Sequence, residues 1–157
     1  MRPTLPRNRW LSYALAALTL AIDQSSKAWA VSHLAHQGQA PLLPGLLDLQ
    51  LTYNPGAAFS LLTGFTGLLG LVSVLVALGL VVWLQRHRQL RAWQAAAAGL
   101  LLGGALGNGI DRWRIGAVVD FLALVPVSFP VFNLADVAIN AAVACFLIDQ
   151  LLALRRP

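Results

Sequence analysis

Four long apolar stretches, at residues 10–32, 61–84, 92–110 and 132–154, occupy most of this chain and constrain its fold more than any other feature. A helix of roughly 20 largely apolar residues is what a bilayer's hydrocarbon layer accommodates. A chain of 157 residues that is 58% hydrophobic and 11% charged cannot cover its apolar surface with polar groups in water. The expectation is one integral membrane domain over 1–157, all-α in its four transmembrane helices, with only a small β element outside them. The first stretch is too long for a removable secretory signal and has no fitting small-residue cleavage site, so it reads as a retained helix.

The net charge of +5 would suit nucleic acid, but the placement of the charges argues against such a partner. Arg2, Arg7 and Arg9 precede the first stretch, Arg86, Arg88 and Arg91 join the second to the third, and Arg155 and Arg156 follow the fourth. Those eight of the eleven basic residues mark three segments of one parity. By the positive-inside rule all three, and with them both termini, are cytoplasmic. The connections 33–60 and 111–131 then face outward. Trp10, Trp29, Trp83, Trp93 and Trp113 fall near predicted helix ends, as interfacial aromatics do. The single cysteine, Cys145, excludes an intrachain disulfide and any cysteine-cluster metal site.

In the first outward connection, residues 47–54 alternate apolar and polar side chains, the period of a half-buried strand. A lone strand is marginal in water, so this one is expected to pair within its own loop on the outer membrane surface, ending at Pro55-Gly56. The second connection carries Val118-Val119-Asp120-Phe121 and then Pro126 and Pro130, which read as an irregular stretch. Gly99, Gly103 and Gly107, four residues apart, predict close approach of another helix to the third.

All six acidic residues are aspartates, and an ionisable group within a membrane segment is a candidate for function. Asp136 lies about 6 Å below the outer end of the fourth helix at 1.5 Å per residue. Asn133 and Asn140 lie on its face at i−3 and i+4. Such a group is either a satisfied packing network or a tuned carboxyl. Asp120 and Asp111 are the carboxylates that sequence proximity brings to the same end. Two close carboxyls sharing one proton supply both the base and the acid that peptide hydrolysis needs.

Asp23 and Lys27, at i and i+4, can form a buried ion pair that fixes helix packing, with direct catalysis as the alternative. Asn108, Asp111 and Arg112 share a face of the third helix, where Arg112 could meet a carboxylate or a lipid phosphate. Asp149 is expected to partner Arg155 or Arg156, or to reach the headgroups. His33 and His36 lack a further ligand, so no metal or other cofactor is predicted. Ser25 and Ser26 splay away from Lys27 on a helix, which disfavours a serine–lysine pair.

Taken in order, five short blocks resemble the bacterial lipoprotein signal peptidases. They are Asp23-Gln24-Ser25-Ser26-Lys27; Asn54-Pro55-Gly56-Ala57-Ala58-Phe59; Gly103-Gly104-Ala105-Leu106-Gly107-Asn108 with Asp111-Arg112; Val119-Asp120-Phe121; and Phe132-Asn133-Leu134-Ala135-Asp136. The resemblance implies an aspartic endopeptidase that cuts diacylglyceryl-modified prolipoproteins just before the lipidated cysteine. It implies Asp120 and Asp136 as the catalytic pair, with Asn54, Asn108, Arg112 and Asn133 lining or ordering the site. Asp23, Lys27, Gly56, Asp111 and Asn140 are then supporting residues. It further implies a β-cradle on the periplasmic face of the bacterial inner membrane, with lipid held between helices of a monomer. The rival readings are a small transporter that uses its charges as a relay, and a structural membrane subunit without chemistry.

Overall fold

The computed structural model describes residues 7–36, 38–57, 61–87 and 89–154. Along the chain run α1 (Arg7–Leu34), β1 (Gln39–Leu43), β2 (Leu47–Asn54), α2 (Thr66–Arg86), α3 (Ala92–Ile115), β3 (Val118–Leu124) and α4 (Leu134–Leu154). Arg2, Arg88, Arg155, Arg156, Ala58 and Phe59 lie outside the described residues.

Glycine sets the packing. α3 is the central helix, and α1, α2 and α4 all pack against it. A methyl group at Gly99 would lie 2.6 Å from the Ser12 carbonyl oxygen, and one at Gly103 would lie 2.6 Å from Thr19 Cβ, so both glycines admit α1. Gly104 admits α4, where an added Cβ would meet Ala135 O at 2.8 Å, and Gly109 admits α2 at Ser73 Cβ, 2.9 Å away. Small residues at such crossings let backbones approach and gain dispersion contacts.

By length and composition α2 and α4 are apolar enough to cross a bilayer. Large side chains including Leu75, Leu78, Leu147 and Leu151 stand exposed along them. α1 and α3 differ because they carry the charges: Asp23, Lys27 and Asp111 are buried between them. Of the four stretches expected to span the membrane, α2 and α4 meet that description by length and composition among the described residues. The polar centre of the molecule is built into two of its helices.

α3 runs to Ile115, not 110, so Asp111 is helical; Gly116, at φ 72, ends the helix with its amide on Arg112 O at 3.2 Å. This left-handed position suits glycine. α2 begins at Thr66 and not at 61.

β2 pairs with β1 inside its own loop, as expected. Leu43-Pro44-Gly45-Leu46 makes the turn, with Gly45 at φ 77 and Leu46 N donating to Leu43 O at 3.0 Å. Proline second and glycine third is the pattern of a type II turn. β2 also pairs antiparallel with β3, which was expected to be loop, giving the order β1-β2-β3. β3 packs Phe121 and Leu122 against Ala30 and Leu34 of α1, so the sheet rests on the end of that helix.

The opposite end of the bundle carries Arg9, Arg86 and Arg91. Arg9 donates to Gln85, whose amide donates to the Tyr13 hydroxyl. Asp149 meets Arg91 just before α3; its expected partners Arg155 and Arg156 lie outside the described residues. Antiparallel packing of α3 on α4 brings Asp149 and Arg91 together across the sequence.

Candidate active site

The site is assembled where α4 begins beneath the sheet. Asn133 caps α4: its Oδ1 accepts the Asp136 amide at 2.9 Å, and Asp136 Oδ2 accepts the Asn133 amide at 3.2 Å. This reciprocal capping box satisfies two amides at a helix end that would otherwise be unpaired. It also fixes Asp136, placing it in the first turn of the helix, closer to the end than expected. Asn108 of α3 donates from Nδ2 to Asp136 Oδ1 at 2.8 Å.

β3 brings in Asp120 from above. Opposite Thr52 of β2, Asp120 is only 2% exposed. Its Oδ1 accepts from Asn133 Nδ2 at 2.7 Å and its Oδ2 from Asn54 Nδ2 at 3.2 Å. Asn133 therefore touches both carboxylates, one through its side-chain amide and the other through its backbone. Burial pushes the Asp120 carboxyl up to about 6, the negative charge of Asp136 adds to the rise, and the hydrogen bonds from Asn133 and Asn54 and the charge of Lys27 oppose it.

Beneath the pair lies a charged cluster. Lys27 Nζ stands 2.9 Å from each of Asp23 Oδ2, Asp111 Oδ2 and Asn108 Oδ1. The expected Asp23–Lys27 pair is thus present and enlarged by Asp111. Gln24, which was given no role beyond its place in a sequence block, donates to Asp23, Asp111 and the Gly107 carbonyl at 3.1–3.2 Å. Its place as a polar residue beside an Asp in an apolar helix is the signal that could have found it.

Among the described residues Arg112 makes no ion pair and its buried Nε has no partner; it donates to Gly56 O at 3.1 Å and Asn108 O at 3.4 Å. Gly56 in turn donates its amide to Asn54 Oδ1 at 2.9 Å, which ties the end of β2 to α3. Asn140 does not reach the Asp136 carboxylate. It is exposed and donates to the Asp136 carbonyl at 2.9 Å, because an amide at i+4 meets the helix backbone first.

A cavity of about 670 Å³ opens onto Asp120, Asp136, Asn108 and Arg112. Its walls are largely apolar: Val72 and Val76 of α2, Leu101 of α3, and Val137 and Ile139 of α4 line it. An acid pair at the polar end of an apolar groove can act on a substrate that is itself part apolar and part hydrolysable.

Fold and site together define a helical membrane enzyme. One solved bacterial membrane enzyme, crystallised by the in meso method, superposes with a TM-score of 0.83 over 92% of this chain and 89% of its own, at 28% identity. A second superposes with a TM-score of 0.80, at 29% identity, over 89% of this chain and 92% of its own. The sequence profile described as Signal peptidase (SPase) II matches residues 15–152, and this chain belongs to that family of peptidases. A lipoprotein signal peptidase of Parasynechococcus marenigrum is 56% identical over 86% of this chain and 85% of its own. One from a Synechococcus species is 54% identical over 90% and 94%.

Proposed function

We propose that this chain is an aspartic endopeptidase that removes signal peptides from diacylglyceryl-modified prolipoproteins, cutting just before the lipidated cysteine. The observation that carries the reading is the convergence of Asp120 and Asp136 on Asn133 at the polar end of the groove. Asp120, whose carboxyl is raised to about 6, takes up a proton more readily than an ordinary carboxylate, and in its protonated form gives it to the scissile carbonyl oxygen. Asp136 takes a proton from water as the water oxygen adds to the carbonyl carbon. The tetrahedral diol then collapses: the C–N bond breaks, Asp136 returns its proton to the leaving nitrogen, and Asp120 recovers one from the diol. The products are a signal peptide ending in a carboxyl group and a lipidated cysteine with a free amine.

In this reading all four helices span the bacterial inner membrane, and the sheet and acid pair face the periplasm. Support comes from Arg9, Arg86 and Arg91, which sit at the other end of the bundle, where the positive-inside rule puts the cytoplasm. The enzyme acts as a monomer, and its substrate enters laterally, with signal helix and acyl chains in lipid until the bond reaches the aspartates.

The test is cleavage of a diacylglyceryl-modified prolipoprotein by purified wild type, Asp120→Asn and Asp136→Asn, with thermal melting as the check on folding. Each folded variant is expected to lose cleavage by at least about 10²–10⁴-fold, the contribution of a general acid or base. Wild-type cleavage by either variant removes that aspartate from the reaction.

A further inference from the structure

Two backbone amides frame the acid pair. Val119 N–H, next to Asp120, donates to Asp111 Oδ2 at 3.2 Å, and Ala135 N–H, next to Asp136, donates to Asp23 Oδ1 at 2.9 Å. The two receiving carboxylates lie on different helices, and one ammonium joins them. Lys27 is 3% exposed and stands 2.9 Å from both Asp23 and Asp111. Its third contact is Asn108 Oδ1, also at 2.9 Å. An ammonium has three protons and no acceptor, so three acceptors use all of them and leave it no other arrangement. Asn108 turns its oxygen to Lys27 and to Asn133 Nδ2, the latter at 3.0 Å, and so presents Nδ2 to Asp136 Oδ1, at 2.8 Å. The flipped amide would set an oxygen against a carboxylate.

We infer that Lys27 is a positioning residue for the acid pair: through Asp111 and Asp23 it sets the spacing of the backbone at residues 119 and 135, and through Asn108 it orients the Asp136 carboxylate. Gln24, bonded to both aspartates, braces the same frame. A cation serving only to neutralise Asp23 would need neither the bond to Asn108 nor a partner on α3. The inference rests on the acid-pair reading and adds a residue that touches neither substrate nor water.

The experiment compares wild type, Lys27→Met and Lys27→Arg on a diacylglyceryl-modified prolipoprotein, measuring kcat, KM, the pH profile of kcat/KM and the melting temperature. A misplacement of about 1 Å in an acid pair lowers the rate by about 10²-fold, so folded Lys27→Met is expected to lose about 10²-fold in kcat. Its KM should stay within about threefold of wild type, since the groove is untouched. The charges around Lys27 are Asp23, Asp111, Asp120, Asp136 and Arg112. Because the charge of Lys27 opposes protonation of Asp120, its removal moves the profile to higher pH.

Wild-type kcat and profile in folded Lys27→Met overturn the inference. So does an activity loss that follows melting alone with the profile unmoved. If Lys27→Met does not fold, Lys27→Arg decides: its longer guanidinium respaces the two aspartates, so positioning predicts a lowered kcat at unchanged KM, and wild-type kcat overturns it. Asp120→Asn and Asp136→Asn run alongside separate the two claims. If they cleave normally the acid-pair reading fails; if they are dead while Lys27 variants are unaffected, only the role of Lys27 fails.

Discussion

At the scale of single residues, Asp120 works against the stability of the chain that carries it. With its carboxyl raised from 3.8 to about 6, the folded chain keeps a proton that the unfolded chain releases over that interval. The contribution of Asp120 to stability is therefore full below about pH 4 and is lost as pH rises to about 6, by about 3 kcal/mol, then levels. The melting temperature in detergent should fall between those limits for wild type, and the slope should be reduced in Asp120→Asn; an unchanged slope would place the titration elsewhere. Asn133 separates stability from chemistry in another way. Asn133→Ser keeps an oxygen to cap α4 and Asn133→Ala does not, while both lose the bond to Asp120. The two should lose cleavage alike and differ by about 1 kcal/mol in unfolding free energy. In the sequence Asp136 stands out because an ionisable group in an apolar helix is rare, whereas Asp120 and Asn133 were picked out by their nearness to it and by the sequence blocks. Partners were less legible: Asn140 shares a helical face with Asp136 yet bonds the backbone, and Asp149 meets Arg91, 58 residues away in sequence.

Among the elements, α3 shows how much a glycine pattern can say. The spacing of Gly99, Gly103 and Gly107 announced a close neighbour, which is α1. At Gly107 the added methyl would strike the Asp23 carboxylate itself, so the glycines admit both a helix and its charge. Gly103→Ala would set a Cβ 2.6 Å from Thr19 Cβ and 2.7 Å from Ala16 O. Overpacking of that kind lowers stability by about 1–3 kcal/mol, against a gain in helix propensity of up to about 1 kcal/mol. Gly79→Ala, on α2 with nothing within 4 Å of the new carbon, has only the gain. Opposite shifts in melting temperature are expected, and equal shifts would refute close packing as the role of Gly103. β3 was not legible. Residues 118–123 are buried without alternation, so the period of two that revealed β2 is missing, and a strand buried on both faces reads as a short apolar run.

For the molecule as a whole, the arrangement of helices explains why an acid pair can be dry and yet reachable. α3 lies at the centre with α1 behind it, and α2 and α4 stand to either side as the walls of a groove that ends at Asp120 and Asp136. Apolar length and charge parity predicted four helices and two opposed ends, and the blocks of sequence ordered the site residues. No local pattern could say that the groove lies between the second and fourth helices, since that follows from which faces α3 leaves open. If substrate enters there, filling the groove must act on binding before chemistry. Val76 of α2 lines the cavity and is 37% exposed, so Val76→Trp adds bulk to the groove without displacing a buried neighbour. KM for the diacylglyceryl-modified substrate should rise about tenfold or more while kcat at saturation and the melting temperature hold, the signature of lost uniform binding. A fall in kcat at unchanged KM would mean that the wall of α2 acts on the acid pair, and that substrate reaches the aspartates by another side of α3.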